Sequence, residues 1–322
     1  MRAIRIHKTG GPEVLQLEEV ELAAPGPGQA SVRQHAIGVN YLDVYFRTGL
    51  YPAPLPFIPG SEGAGVVTAL GEGVEGFKIG DRVAFSTTPG SYVEARNVDV
   101  KHLVSLPQSV SYEQAAAMML KGLTAQYLLR QTYRVQPGDR ILVHAAAGGV
   151  GQILCQWGKH LGATVIGTVG SAAKAESAKT CGADHVINYS TEDFAARVGE
   201  ITKGAKCAVV YDGVGKTTFP ASLDCLKPFG VFASFGSASG PVEAFNLGLL
   251  GQKGSLFATR PTLFTFMADR ARLEAMAAEL FEVVGSGVVK VEISERAPLA
   301  EAARVHRDLE ARRTTASIVL IP

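Results

Sequence analysis

The sequence predicts an α/β protein in two parts, a mainly β domain and a doubly wound parallel-sheet domain, and three observations carry that prediction. Residues 121 to 260 alternate apolar strands with amphipathic helices, and consecutive β-α-β units imply a parallel sheet covered on both faces. Residues 1 to 120 are short, alternating and broken by glycine and proline, which reads as mainly β. At 141 to 162 an apolar strand runs into a glycine-rich turn and then a helix, the setting in which a dinucleotide pyrophosphate rests on a helix N-terminus.

In the first part, Arg2 to His7, Ala30 to His35, Gly63 to Leu70 and Asp81 to Phe85 read as strands bounded by Gly or Pro. Pro25-Gly26-Pro27-Gly28, Pro52 to Pro56 and Gly71-Glu72-Gly73 are loops where helix is disfavoured. In the second, Ile141 to Ala145, Thr164 to Val169, His185 to Ile187, Cys207 to Tyr211, Val231 to Phe235 and Ser255 to Ala258 are the strands, with a helix over Val150 to Leu161. The tail from 261 to 322 has helix patterns at Met267 to Val284 and Leu299 to Arg312 and a last strand at Ser317 to Ile321. It is short for a domain of its own and is expected to complete the first part.

With 322 residues, 47% of them hydrophobic and only 19% charged, the chain can bury a sizeable core and is not disordered. Lys plus Arg at 31 against Asp plus Glu at 30 leaves no basic excess for nucleic acid or an anionic membrane, and a small neutral or amphipathic ligand fits better. No apolar run approaches the roughly 20 residues of a bilayer crossing. The start MRAIRIHKTGG is too polar for a signal peptide, so cytoplasmic residence is expected. The four cysteines lack the short spacing of a metal site and read as reduced, small apolar residues.

The turn Ala146-Ala147-Gly148-Gly149-Val150-Gly151 is the main chemical signal. Gly148 lets backbone approach phosphates, and Gly151 lets the helix pack close to the strand. Ala146 stands where the first fingerprint glycine usually does, which is tolerable if its φ stays negative. A site for NAD usually presents an acid about 20 residues further on, for the ribose 2′-OH. Here the second strand ends Thr168-Val169-Gly170-Ser171-Ala172-Ala173-Lys174, without one. Ser171 supplies a hydrogen bond and Lys174 a charge to a 2′-phosphate, and Tyr189, after the third strand, adds a phenol; NADPH is therefore the expected cofactor.

AIGVNYLDVYFRTGLYP (36 to 52), PGSEGAGVV (59 to 67), AAAMMLKGLTAQYLL (115 to 129), HAAAGGVG (144 to 151), SFGSASG (234 to 240) and the ending SIVLIP resemble NADPH:quinone oxidoreductase, the zinc-free branch of the medium-chain dehydrogenase/reductase superfamily, related to zeta-crystallin. The resemblance runs in order along nearly the whole chain. It implies a GroES-like catalytic domain over 1–120 completed by 261–322, a Rossmann domain over 121–260, a cleft between them and a homodimer. It places Thr124, Phe235, Gly236, Ser237, Ala258, Thr259 and, more weakly, Ser317 against the cofactor. It also turns Asn40, Tyr45 and Tyr51 toward the nicotinamide, as groups that orient the substrate and donate to its oxygen.

Zinc-dependent relatives carry a cysteine near the position of Asn40 and Gly-His-Glu where this chain has Gly60-Ser61-Glu62, so two catalytic ligands are missing and no metal is expected. His7, His35, His144, His160 and His306 do not cluster and read as packing or surface residues; Asp43 and Arg47, four apart, read as a structural pair. Reducing a simple ketone makes a strongly basic alkoxide, whereas a quinone or enone spreads the charge into an anion near the ~10 of a tyrosine phenol. Hydrogen-bond donors then suffice, which favours a quinone or conjugated carbonyl as substrate. The alternatives are an alkenal or enone double-bond reductase and a non-catalytic NADPH-binding or RNA-associated protein. One-electron and two-electron reduction are not separated by the sequence.

Overall fold

The computed structural model describes residues 1–87 and 89–322. The chain divides into two compact units, one of Met1–Leu123, Met267–Gly285 and Val291–Pro322, the other of Thr124–Phe266 and Ser286–Lys290. Residues 261–266 and 286–290, expected with the tail, thus group with the second unit, and 121–123 with the first.

The first unit is built on a seven-stranded sheet. Its path runs Ile293–Pro298, Ser317–Ile321, Gln29–Gly38, Glu62–Leu70, Arg82–Ser86, Leu103–Ser105, and Ala95–Asp99 also pairs with Gln29–Gly38. All pairs are antiparallel except Ile293–Pro298 on Ser317–Ile321. Alternate residues Val32, Val67, Val83, Phe85, Val98 and Leu103 close one core, and Ile4, Ile37, Val305 and Leu320 belong to a second. The strand Ala95–Asp99 has no sequence signature because it is polar and half-buried, held by its ladder rather than by apolar alternation. The helix Tyr112–Tyr127 is apolar nearly all round because most of it is buried. Gly38 faces it: a Cβ there would lie 2.1 Å from the Ala116 carbonyl and 2.2 Å from Glu62 Oε1.

The tail helices are shorter than their patterns. Asp269 accepts from the Arg272 N–H at 2.8 Å and so starts a helix at Arg270–Gly285, separate from Leu263–Phe266. Leu299–Glu301 is a 3₁₀ turn before the helix Ala302–Glu310.

The second unit is a six-stranded sheet, numbered in chain order β1 Arg140–Val143, β2 Thr164–Val169, β3 His185–Asn188, β4 Cys207–Asp212, β5 Leu226–Ser234 and β6 Phe257–Thr259. All neighbours are parallel and the spatial order is 3-2-1-4-5-6, so the order reverses between β1 and β4. That reversal opens a crevice at the carboxyl ends of the strands, where such sheets bind ligands. Leu142, Ile166, Ile187, Val210 and Phe232 fill the interior. Gly162 and Gly182, with φ of +83° and +91°, end the helices Gly149–His160 and Ala172–Thr180.

Candidate active site and dinucleotide cradle

In the second unit, β1 runs through a tight turn into the helix Gly149–His160, with Gly148 as N-cap and no side chain capping it. The N–H groups of Gly149, Val150 and Gly151 occupy the first turn, where helix geometry provides no intrahelical acceptor. They form the positive end of a three-turn helix, a ready anion site. A Cβ on Gly151 would stand 2.2 Å from the Ala145 carbonyl and 2.8 Å from Ala146 Cα, so helix and strand meet there without room for a side chain. At Gly148 only the Ala145 carbonyl, at 3.2 Å, lies near a virtual Cβ, and that direction is otherwise open. The left-handed residue of the turn is Ala145, with φ of +52°, and Ala146 keeps the negative φ that its side chain requires.

The cradle continues at the end of β2. Ser171 caps the helix Ala172–Thr180 by accepting from the Lys174 N–H at 3.4 Å, which leaves its own O–H to donate. Lys174 sits half-buried in that first turn. The phenol of Tyr189 presses on Gly170, where a Cβ would lie 2.6 Å from its oxygen. Ser171, Lys174 and Tyr189 therefore converge on the end of β2 with no carboxylate in the Val169–Lys174 segment, and these residues fit a 2′-phosphorylated dinucleotide. Phe235, Gly236 and Ser237 follow β5: the Phe235 ring lies 2.9 Å from a virtual Gly213 Cβ, and a Cβ on Gly236 would lie 2.5 Å from the Gly213 carbonyl. Ala258 and Thr259 lie on β6, an exposed edge paired with Phe232 and Ala233. Thr124 is buried in the helix Tyr112–Tyr127.

Beneath this crevice lies a buried polar network. His144 bonds Thr168 Oγ1 at 2.8 Å and Ser222 Oγ at 2.9 Å, joining the segments after β1 and β4 to β2. Asp212 accepts from Thr218 Oγ1 at 2.7 Å and from the Val214 and Gly215 N–H groups at 2.7 and 3.0 Å. Burial holds the His144 imidazole below its ordinary range, so it is neutral and joins two hydroxyls.

In the first unit, the helix Tyr41–Thr48 and the residues flanking it carry the predicted donors. Asn40 is its N-cap, and the Asn40 N–H donates to Asp43 Oδ2 at 2.9 Å. The Asn40 amide donates through Nδ2 to Glu62 Oε1 at 2.7 Å. The same Glu62 oxygen accepts from Lys121 Nζ at 3.0 Å, and Oε2 accepts from the Leu120 N–H at 2.6 Å. Tyr45 and Tyr51 have ring centroids 5.3 Å apart, and the Tyr51 N–H donates to the Tyr45 carbonyl at 3.0 Å. Ser317 is buried, its hydroxyl donating to the Ala117 carbonyl at 3.1 Å. Asp43 and Arg47 share this helix but take different partners. Arg47 bonds Glu310 at 2.7 Å and the Gly10 carbonyl at 3.1 Å, and Asp43 accepts from Ser61 Oγ at 3.1 Å.

Arg47 and Asp43 are joined instead through a directed chain. Arg47 Nη1 lies 3.3 Å from His306 Nδ1, and a guanidinium only donates, so the neutral ring carries its proton on Nε2. That nitrogen donates to Tyr92 Oη at 3.0 Å, and Tyr92 donates to Asp43 Oδ2 at 3.1 Å. His306 is thus a buried hydrogen-bonding link, which its isolated place in the sequence did not reveal.

Asn40, near the place of one missing zinc ligand, and Ser61, in the place of the other, are both committed to carboxylates, and the Lys121 ammonium pairs with Glu62. Among the described residues no group of three or more His, Cys, Asp or Glu could hold a metal ion. These residues do not fit zinc. Glu62 and Lys121 were not singled out in the sequence; the available signal was a lone lysine inside the apolar run AAAMMLKGL.

Burial pushes the Asp43 carboxyl up to about 7, against the lowering effect of its hydrogen bonds from Asn40, Tyr92 and Ser61. Burial, aided by the Arg47 charge, holds His306 down at about 3. The stability that His306 contributes is full above its ordinary 6.5 and is lost as pH falls toward 3. That of Asp43 is present below its ordinary 3.8 and is lost as pH rises through about 7. The two slopes oppose between 3.8 and 6.5. In urea melts, His306→Gln is expected to lose stability as pH rises through this window and Asp43→Asn to gain it; slopes of the same sign would contradict the assignment.

Residues 149–282 match the family described as zinc-binding dehydrogenase, and residues 26–132 the alcohol dehydrogenase GroES-like domain. A quinone oxidoreductase of Pseudomonas aeruginosa is 54% identical over 323 residues, covering 100% of this chain and 99% of that protein. A 2-haloacrylate reductase of a Burkholderia species is 47% identical over 326 residues, covering 98% of each. The crystal structure of Escherichia coli quinone oxidoreductase complexed with NADPH superposes with a TM-score of 0.98 at 49% identity, covering 100% of both chains.

Proposed function

The chain belongs to the NADPH:quinone oxidoreductase family of the medium-chain dehydrogenase/reductase superfamily, and from that premise we propose that it reduces quinones with NADPH in a metal-independent reaction. NADPH, when bound, supplies the hydride. The first turn of the helix Gly149–His160 receives the pyrophosphate, and Ser171, Lys174 and Tyr189 select the 2′-phosphate. Thr124, Phe235, Gly236, Ser237, Ala258, Thr259 and Ser317 are assigned to the remaining cofactor contacts by family position. Asn40, Tyr45 and Tyr51 orient the acceptor and donate hydrogen bonds to the oxygen on which charge develops.

The observation that carries this reading is the closed polar cluster of Asn40, Ser61, Glu62 and Lys121 where metal-dependent relatives hold zinc ligands. An acceptor reduced there must delocalise its own charge. NADPH oxidation with 1,4-naphthoquinone, unchanged after dialysis against EDTA, is the expected result; no turnover of any quinone would refute it. The Burkholderia relative supports a second reading, reduction of an activated double bond, and faster turnover of an enal than of naphthoquinone would favour it.

No helix among the described residues is long and apolar enough to cross a membrane. Cytoplasmic residence and a homodimer complete the proposal. For the dimer the support is the open edge strand β6, whose Phe257 is 61% exposed. Sedimentation at the mass of one 33.9 kDa chain would exclude it.

A further inference from the structure

We propose that Lys121 and Glu62 are positioning residues for the acceptor, acting through Asn40: together they hold its amide in one orientation. The inference rests on the reading that Asn40 touches the substrate oxygen. Glu62 is fully buried and Lys121 is 6% exposed. The Lys121 ammonium, 3.0 Å from Oε1, sets a counter-charge beside this buried carboxylate and fixes the position of the oxygen that meets Asn40. Oε1 accepts from both Lys121 Nζ and Asn40 Nδ2, so the Asn40 amide meets it with its N–H end, 2.7 Å away, and its carbonyl oxygen is turned elsewhere.

The arrangement is braced on every side. Oε2 is held by the Leu120 N–H at 2.6 Å, and Gly38 is the residue whose missing Cβ makes room for Oε1. The Asn40 backbone is tied independently by Asp43 at 2.9 Å, so the helix start survives when the amide is released. Without the Lys121 ammonium, Oε1 loses the second group that fixes it, and the amide would then rotate between two orientations, only one of which presents an N–H to the acceptor.

The test is a double-mutant cycle read in kcat with 1,4-naphthoquinone and NADPH. Lys121→Met is expected to lower kcat by roughly 10- to 10²-fold, the scale of a misplaced reacting group, with little change in KM. Lys121→Arg should restore most of it. In an Asn40→Ala background the same Lys121→Met change should have no further effect, because the group it positions is gone. Losses that add in the double variant, or a rise in KM with kcat intact, would overturn the proposal. If Lys121→Met does not fold, Glu62→Gln, neutral and of the same shape, enters the same cycle with the same criterion. Wild-type protein inactive on every quinone would instead remove the functional reading beneath it.

Discussion

Lys174→Ala is expected to weaken NADPH binding by roughly 10- to 100-fold, the value of charge-assisted hydrogen bonds to a phosphate, while NADH binding changes by less than about twofold. The reason is local. The segment Val169–Lys174 has no carboxylate to accept from a ribose hydroxyl, and Lys174 stands in the first turn of the helix that Ser171 caps by accepting from the Lys174 N–H. Tyr189, seated on Gly170, borders it. NADH has no phosphate at that position, so the lost cation costs it little. Fluorescence titration with both nucleotides measures the difference, and equal losses for the two would refute the assignment.

Gly151→Ala should be the most damaging single change in the second unit. Its Cβ would meet the Ala145 carbonyl at 2.2 Å and Ala146 at 2.8 and 2.9 Å, all main-chain atoms that no side-chain rotation can move aside. Overpacking of this kind costs about 3 kcal/mol or more, and a loss of that size lowers Tm by roughly 6–12 °C in a domain this large. Gly148→Ala offers the contrast. Its Cβ meets one atom at 3.2 Å and otherwise points into open space, so the fold should survive while NADPH affinity falls as the methyl takes room that a phosphate would use. Calorimetry paired with titration separates the two effects; a wild-type Tm in Gly151→Ala would show that the turn is not as tight as its geometry implies.

The parts of the site legible in the sequence are those whose physics is local. The glycine turn is read from backbone sterics within a few residues, and the missing acid after β2 from a single short segment. The strand Ser317–Ile321 was legible to the residue because it is a continuous apolar run, Ile318 to Ile321, opened by Ser317 and followed by Pro322. The strand Ala95–Asp99 was not, because its partner Gln29–Gly38 defines it. Asp43, Tyr92 and His306 illustrate the same limit at the site. Sequence spacing suggested an Asp43–Arg47 pair within one helix, but the two side chains leave that helix in different directions and meet only through groups 49 and 214 residues apart.

The sequence by itself determined the alternation of strands and helices, the dinucleotide turn and the loss of zinc-ligating side chains, since each follows from residue type and short-range spacing. Only the tertiary structure decided what stands in the place of those ligands. A buried lysine, a buried glutamate and an asparagine from three separate elements share one oxygen there, and the long-range packing that excludes water from them makes their hydrogen bonds specific in orientation.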